Sequence, residues 1–381
     1  ALASATLVVG GRRHLAGLAP RGVATVELGK LGQALAAIAQ HSSGAGRPVV
    51  LASGDPGFFG ILRALRQYGI SVLVLPSVST VQRLAATLGR SWDDLAVVSA
   101  HGREFRPALN VCRARPAVAV LTAPGCGPAE LGAGLAGWRR SLVVAEDIGG
   151  AGERLSTVDP ASAAERVWRE PNLVFCLADP AMVPERGWHA GGEPHPPAGG
   201  WALPEDAFSH RDGMISKYEV RAVALARLAP RPGTLVWDVG AGSGAVGVEC
   251  ARLGSAVVAV EPDAGQCTRV VHNAERHGVD IRLIEGAAPA SLGGLPAPDA
   301  IFVGGGGQQV LAACAVVGAT RLVVALAGVD RLAAARDTLR AAGYRVEGCE
   351  MSSARLADLP DGASRLAATN PVFLLFGGPY E

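Results

Sequence analysis

Lysine is almost missing from this chain. Lys30 and Lys217 stand alone among 35 Lys and Arg residues, and 34 acidic residues leave a net charge of +1. Genome base composition accounts for the arginine bias, and so small a charge does not supply the basic surface that neutralising a nucleic-acid backbone requires. Local arginine clusters can still meet an acidic ligand. The seven cysteines include no C-x-x-C pair, and the closest two, Cys112 and Cys126, match neither a zinc nor a redox spacing, which fits a reduced cytosol. No run of eighteen apolar residues free of charges and turn formers occurs, so no membrane helix is expected. What remains, 49% apolar and 18% charged residues over 381 positions, is the composition of an α/β protein with two full cores.

The most informative stretch is Leu235-Val236-Trp237-Asp238-Val239-Gly240-Ala241-Gly242-Ser243-Gly244. An apolar strand ending in Asp and running into alternating glycines predicts a ligand against the backbone. The run Ala256–Val260 then stops at Glu261, a carboxylate at the tip of the next parallel strand, where ribose hydroxyls sit. Ala245 to Leu253 is the helix between them. Gly242, Gly244 and Gly247 also satisfy a dinucleotide fingerprint, with Glu261 as its ribose acid. Asp238 weighs the other way: a carboxylate there repels a pyrophosphate and attracts the ammonium of an amino-acid tail, which S-adenosylmethionine carries without any phosphate. An NAD-dependent oxidoreductase, a non-catalytic S-adenosylmethionine sensor and a methyltransferase for another acceptor are the alternative readings. Ala287 and Ala288, after the strand Ile281–Glu285, leave room for an adenine ring, and Gly304 to Gly307, after Ala300–Val303, admit an acceptor.

Upstream, Phe208 to Arg221 enters a helix that reads through Leu228, with Ser216 at the N-cap and Glu219 at the capping-box position. With these residues in view, Ser209 to Phe376 resembles the decarboxylating methyltransferase module of the precorrin-6Y C5,15-methyltransferase family of cobalamin biosynthesis. Five landmarks carry the resemblance in order: Ile-Ser-Lys-x-Glu-Val-Arg, Asp-x-Gly-x-Gly-x-Gly, Gly-x-Ala-Pro, Asp-x-Ile-Phe-Val-Gly-Gly, and Asn370-Pro371-Val372-Phe373.

The first half carries separate motifs. Val49–Ala52 leads into Ser53-Gly54-Asp55-Pro56-Gly57, then a helix from Ile61 to Tyr68, a strand from Ser71 to Leu75, and Ser77-Val78-Ser79-Thr80. His101-Gly102-Arg103 and Glu146-Asp147-Ile148-Gly149-Gly150 follow. This set resembles the tetrapyrrole methylases that add the carbon-5 methyl. Members of that family begin with a strand and a glycine-rich loop, whereas Ala1 to Leu15 matches the element after that strand. We therefore expect a first sheet lacking its first strand, with an exposed edge.

The expected architecture is α/β in two domains: a tetrapyrrole-methylase domain over 1–184, a linker over 185–204 rich in Pro and Gly, and a Rossmann-like methyltransferase domain over 205–381. His189 and His195 lie in the linker and are read as linker residues rather than metal ligands. The resemblance implies methylation of a precorrin at carbons 5 and 15 with loss of the ring-C acetate carboxyl, giving precorrin-8X, and S-adenosylmethionine as the cofactor with no metal. His210 and Glu219 are the expected proton donors, with Lys217 and Arg221 holding substrate carboxylates. Ser216, Asp238, Gly240, Ala241, Gly242, Ser243, Gly244, Glu261, Ala287 and Ala288 are the expected cofactor residues. In the first domain Gly54, Asp55, Ser79 and Thr80 are assigned to cofactor, and His101 and Arg103 to substrate. A cytoplasmic homo-oligomer that contacts neither nucleic acid nor membrane completes the expectation.

Overall fold

The computed structural model describes residues 1–29, 31–178, 200–211 and 215–378. Their contacts group into two compact units, Ala1–Trp92 with Ile148–Ala151, and Asp93–Asp147 with Gly152–Glu381. The expected linker lies mostly outside the described residues, as do His189 and His195.

The first unit runs β1 (Leu7–Gly10), α1 (Arg12–Leu18), β2 (Ala24–Glu27), α2 (Leu31–Ser42), β3 (Pro48–Val50), α3 (Leu62–Gln67) and α4 (Thr80–Thr87). Its three strands are parallel in the order β2-β1-β3. All four residues of β1 are buried, as a central strand covered on both faces requires, and Leu7 and Val9 pack against Ala34, Leu35 and Ile38 of α2. The strand expected over Ser71–Leu75 does not form. These residues enter no ladder and Leu73 is 89% exposed, because β propensity yields a strand only where a neighbouring backbone accepts its hydrogen bonds.

The second unit contains a five-stranded sheet, β4 (Ala96–Ser99), β5 (Ala117–Leu121), β6 (Arg140–Glu146), β7 (Arg154–Val158) and β8 (Asn172–Ala178), ordered β4-β5-β8-β6-β7, with α5 (Phe105–Ala114), α6 (Pro128–Gly134) and α7 (Pro160–Glu165). After it come α8 (Tyr218–Leu228), β9 (Leu235–Val239), α9 (Ala245–Arg252), β10 (Ala256–Glu261), α10 (Ala264–Arg276), β11 (Arg282–Glu285), β12 (Ala300–Val303), α11 (Gly307–Ala315), β13 (Arg321–Leu326), α12 (Leu332–Ala341), β14 (Arg345–Met351), the hairpin β15 (Ala354–Asp358) and β16 (Ser364–Ala368), and β17 (Val372–Gly378).

The larger sheet has the order β11-β10-β9-β12-β13-β17-β14, parallel from β11 to β13, with β17 antiparallel to both neighbours. Alternate residues feed two cores. Trp237, Val258, Val260, Ile301 and Val324 face one side, while Val236, Val257, Phe302 and Val323 face α8 and α9 on the other. Between β11 and β12 stands only a short 3-10 turn, Ala290–Leu292, in place of a crossover helix. The face so exposed is covered by α5, which packs against β10. Arg106 bonds Asp299 at 2.5 Å, Asn110 donates to the Gly233 carbonyl at 3.0 Å, and buried Arg140 bonds Asp280 at 2.5 Å.

Strand order reverses between β9 and β12, the switch point at whose carboxyl ends an open α/β sheet binds ligands. Helix α8 begins later than expected. Lys217, with no side-chain cap bond, is its N-cap, so Ser216 lies outside the helix and Glu219 sits at the second helical position, one short of where a capping box acts.

Candidate functional site

At the carboxyl end of β9 the chain turns through Gly240, whose φ is +69°. The loop after β12 meets it backbone to backbone: a Cβ on Gly240 would stand 2.8 Å from the Gly305 nitrogen, and one on Gly304 would stand 2.9 Å from the Gly240 carbonyl. Only glycine permits that approach, which closes one wall of a cavity of ≈ 240 Å³. Gly240, Ala241, Gly242 and Ser243 line it with Ser216, Gln266 and Gly304. Gly244, in the left-handed region, caps α9.

Two acids hold this loop from behind. Asp238 is 1% exposed; its Oδ2 accepts the Gly247 N–H at 2.8 Å, and its Oδ1 has no partner among the described residues. Burial pushes its pKa up to about 7, opposed by the Gly247 hydrogen bond and assisted by the charge of Glu261. Glu261 is also buried: its Oε2 accepts from Gly242 N at 2.8 Å and its Oε1 from Asp263 N at 3.1 Å. Asp238 and Glu261 therefore shape the loop and stand outside the cavity lining. Ala287 and Ala288 follow on the same rim, just after Gly286, whose N–H donates to the Glu261 carbonyl at 3.0 Å, and they too stand outside the lining.

The entry segment is tied to this loop by a residue that sequence reasoning passed over. Buried Asn273 donates to the carbonyls of Ser209, at 2.9 Å, and Ser243, at 2.8 Å, while its Oδ1 accepts from Ser209 N at 2.7 Å. Half-buried His210 follows Ser209, and its Nδ1 has no partner among the described residues. Gln266 was missed as well. It lines the cavity and its Oε1 lacks a partner among the described residues, although its position on α10, just after the Glu261-Pro262-Asp263 turn, was a signal that could have found it.

Two expected roles are corrected. Arg221 is fully buried. It pairs with Glu249 at 2.6 Å, donates to the carbonyls of Ser216 and Leu203 and lies over the Phe208 ring, so its donors are spent inside the fold and none reaches a substrate carboxylate. Glu219 is held by Arg355 at 2.6 and 3.0 Å, and that hydrogen bonding keeps its pKa below the usual value. An acid so held stays ionised and cannot donate a proton near neutrality. Arg355 also clamps Glu205, where burial opposes but Arg355 prevails, bringing the carboxyl down to about 2. Half-buried Lys217 remains at the head of α8, beside the cavity-lining Ser216.

In the first unit the backbone brings Gly54, Ser79 and Thr80 together, since a Cβ on Gly54 would lie 3.3 Å from the Ser79 Cα and 3.4 Å from the Thr80 nitrogen. The Ser79 hydroxyl accepts from Gln82 N as the cap of α4, and Asp55 accepts the Gly57 N–H at 2.7 Å within its own turn. These side chains do structural work. His101 and Arg103 are exposed in the loop after β4, within the second unit. Among the described residues, no group of three or more His, Cys, Asp and Glu could hold a metal ion, and no helix is long and apolar enough to cross a membrane.

Two family models match this chain. Residues 1–163 match the family model of tetrapyrrole (corrin/porphyrin) methylases, and residues 206–359 match that of the precorrin methyltransferase domain. The chain is 38% identical over 322 residues to a precorrin-6Y C(5,15)-methyltransferase (decarboxylating) from Sinorhizobium sp, covering 81% of this chain and 74% of that protein. It is 35% identical over 279 residues to the protein of the same name from Mycobacterium tuberculosis (strain ATCC 25618 / H37Rv), covering 70% of this chain and 66% of that one. A crystal structure of a precorrin-6Y C5,15-methyltransferase from Geobacter metallireducens GS-15 aligns with a TM-score of 0.44 at 28% identity, over 46% of this chain and 97% of that one.

Proposed function

This chain belongs to the precorrin-6Y C5,15-methyltransferase (decarboxylating) family, and from that premise we propose that it transfers methyl groups from S-adenosylmethionine to carbons 5 and 15 of a precorrin and removes the ring-C acetate carboxyl, giving precorrin-8X. Carbon-5 transfer is assigned to residues 1–184, and carbon-15 transfer with decarboxylation to residues 205–381. The observation that carries this reading is the cavity at the β9/β12 switch. Among the described residues no basic side chain lines it to meet a pyrophosphate, and two oxygens without a partner there, Asp238 Oδ1 behind the loop and Gln266 Oε1 in the lining, suit the cationic end of an amino-acid tail. Glu261, at the tip of β10, is the candidate for the ribose hydroxyls.

When bound, the cofactor supplies an electrophilic methyl group; the chain's part is to orient and to exclude water. The amides of Gly240 and Ala241 donate to the Val260 carbonyl and that of Gly242 to Glu261, which fixes the loop that lines the cavity, and well-oriented reactants gain about 7 to 11 kcal/mol over free encounter. With Glu219 held ionised by Arg355, His210 remains the candidate to hold or move a proton at its unpartnered Nδ1. Lys217, at the head of α8, is the candidate to meet a substrate carboxylate. The proposed setting is a cytoplasmic homo-oligomer, whose mass light scattering would measure. The test of function is the product of the full chain with precorrin-6B and S-adenosylmethionine: mass spectrometry should show methyl addition and loss of carbon dioxide. Calorimetry showing NAD binding in place of S-adenosylmethionine would favour the oxidoreductase.

A further inference from the structure

A second cavity, of ≈ 470 Å³, lies at the carboxyl ends of β12 and β13, between α11 and α12. It meets the smaller cavity at one residue, Gly304, which lines both. Its floor is aliphatic, with Leu311, Val324, Leu326 and Ala335, and its rim carries Asp330 and Arg331 side by side at the start of α12. Arg331 is exposed and has no ion-pair partner among the described residues, in contrast to the spent guanidiniums of Arg221 and Arg355.

We propose that this cavity is the acceptor subsite: it seats one carboxylate-bearing pyrrole edge of the tetrapyrrole over the aliphatic floor, with Arg331 pairing a peripheral carboxylate. The proposal rests on the methyltransferase reading above and adds to it where the acceptor sits and which side chain recognises it. Its size is in the range that buries a small ligand, and the shared Gly304 places the seated ring edge next to the cofactor loop. The chemistry also decides which carboxylate Arg331 holds. Decarboxylation breaks the carbon–carboxylate bond, leaves its electron pair in the conjugated macrocycle, releases carbon dioxide and ends with a proton taken up at carbon. A guanidinium stabilises the carboxylate before that step and loses its partner after it, so pairing slows the loss. Arg331 therefore grips a carboxylate that is retained.

The experiment compares the full chain with Arg331→Gln and Asp330→Asn, measuring tetrapyrrole KM and kcat, the ratio of carbon dioxide released to methyl transferred, and S-adenosylmethionine affinity by calorimetry. Arg331→Gln should raise the tetrapyrrole KM about tenfold, the scale of a lost charge-assisted hydrogen bond, with kcat within about twofold and the ratio unchanged. Asp330→Asn, which removes a like charge from the rim, should lower that KM. Cofactor affinity should not move in either variant. An unchanged KM in Arg331→Gln, or a rise in Asp330→Asn as large as in Arg331→Gln, overturns the subsite. A changed ratio of carbon dioxide to methyl overturns the assignment to a retained carboxylate. Failure of the parent chain to bind S-adenosylmethionine would instead refute the functional reading on which the proposal rests.

Discussion

Asp238 behaves as two different residues in sequence and in structure. In sequence it is a carboxylate beside a glycine loop; in the fold it is sealed under that loop with one oxygen on Gly247 and its pKa raised to about 7. The sign of its effect on stability follows. Between its ordinary value of 3.8 and about 7 the folded chain keeps this proton and the unfolded chain has lost it, so stability falls as pH rises through that window, at up to about 1.4 kcal/mol per pH unit, and levels off above it. A bound ammonium favours the ionised form, so S-adenosylmethionine affinity should climb by up to about tenfold per unit between about pH 6 and pH 7 and then flatten. Asp238→Asn should abolish that climb in calorimetric titrations. A climb that survives the substitution would assign it to another group.

At the scale of elements, the decisive feature is the meeting of two glycine loops at the ends of β9 and β12. Gly240→Ala places a methyl 2.8 Å from the Gly305 nitrogen in a backbone region that side chains avoid, so it should push the loops apart, cost about 1 to 3 kcal/mol of stability and weaken cofactor binding about tenfold or more. Gly242 shares the positive φ but has open space around its Cβ position. Gly242→Ala should therefore show the backbone strain without the collision, and a smaller loss of cofactor affinity. Thermal unfolding and calorimetry on the pair separate the two effects; equal losses would mean that the loop contact contributes nothing beyond strain.

Across the whole molecule, the second unit joins pieces that the sequence suggests should stand apart. From motifs alone each half is expected to carry its own ligand loop on its own sheet, and the fragment from Pro204 to Glu381 to fold and bind cofactor by itself. In the structure α5 covers the face of β10 that the short β11–β12 connection leaves open, with Leu109 and Cys112 in one core with Val258 and Val260. Removing residues before Pro204 should expose that face, lower stability by about 3 kcal/mol or more, and cause the fragment to bind a hydrophobic dye that the full chain excludes. The cavity at the ends of β9 and β12, lined by residues from Ile215 onward, should still bind S-adenosylmethionine. A fragment as stable as the full chain would show that α5 is not needed to seal the sheet.

The sequence by itself determined the βαβ unit and its glycine loop, because those depend on local pattern. The βαβ unit around Gly240–Gly244 appears where hydrophobic period and glycine spacing placed it, with α9 starting at Ala245 and β10 ending at Glu261. Only the tertiary structure decided which polar side chains are free to act. Arg221 and Glu219 read alike as site residues on one helix, yet Glu249, 28 residues away, consumes the first, and Arg355, 136 residues away, consumes the second. Such pairings are long-range in the chain and leave no periodic trace in it. Asn273 and Arg331 were missed for the same reason: what distinguishes them is the partners they have or lack. A strand goes wrong in the same way at Ser71–Leu75, whose composition suits a ladder but whose partner is a matter of topology. Local sequence sets what each segment prefers; burial and pairing across the fold settle which charges remain available for chemistry.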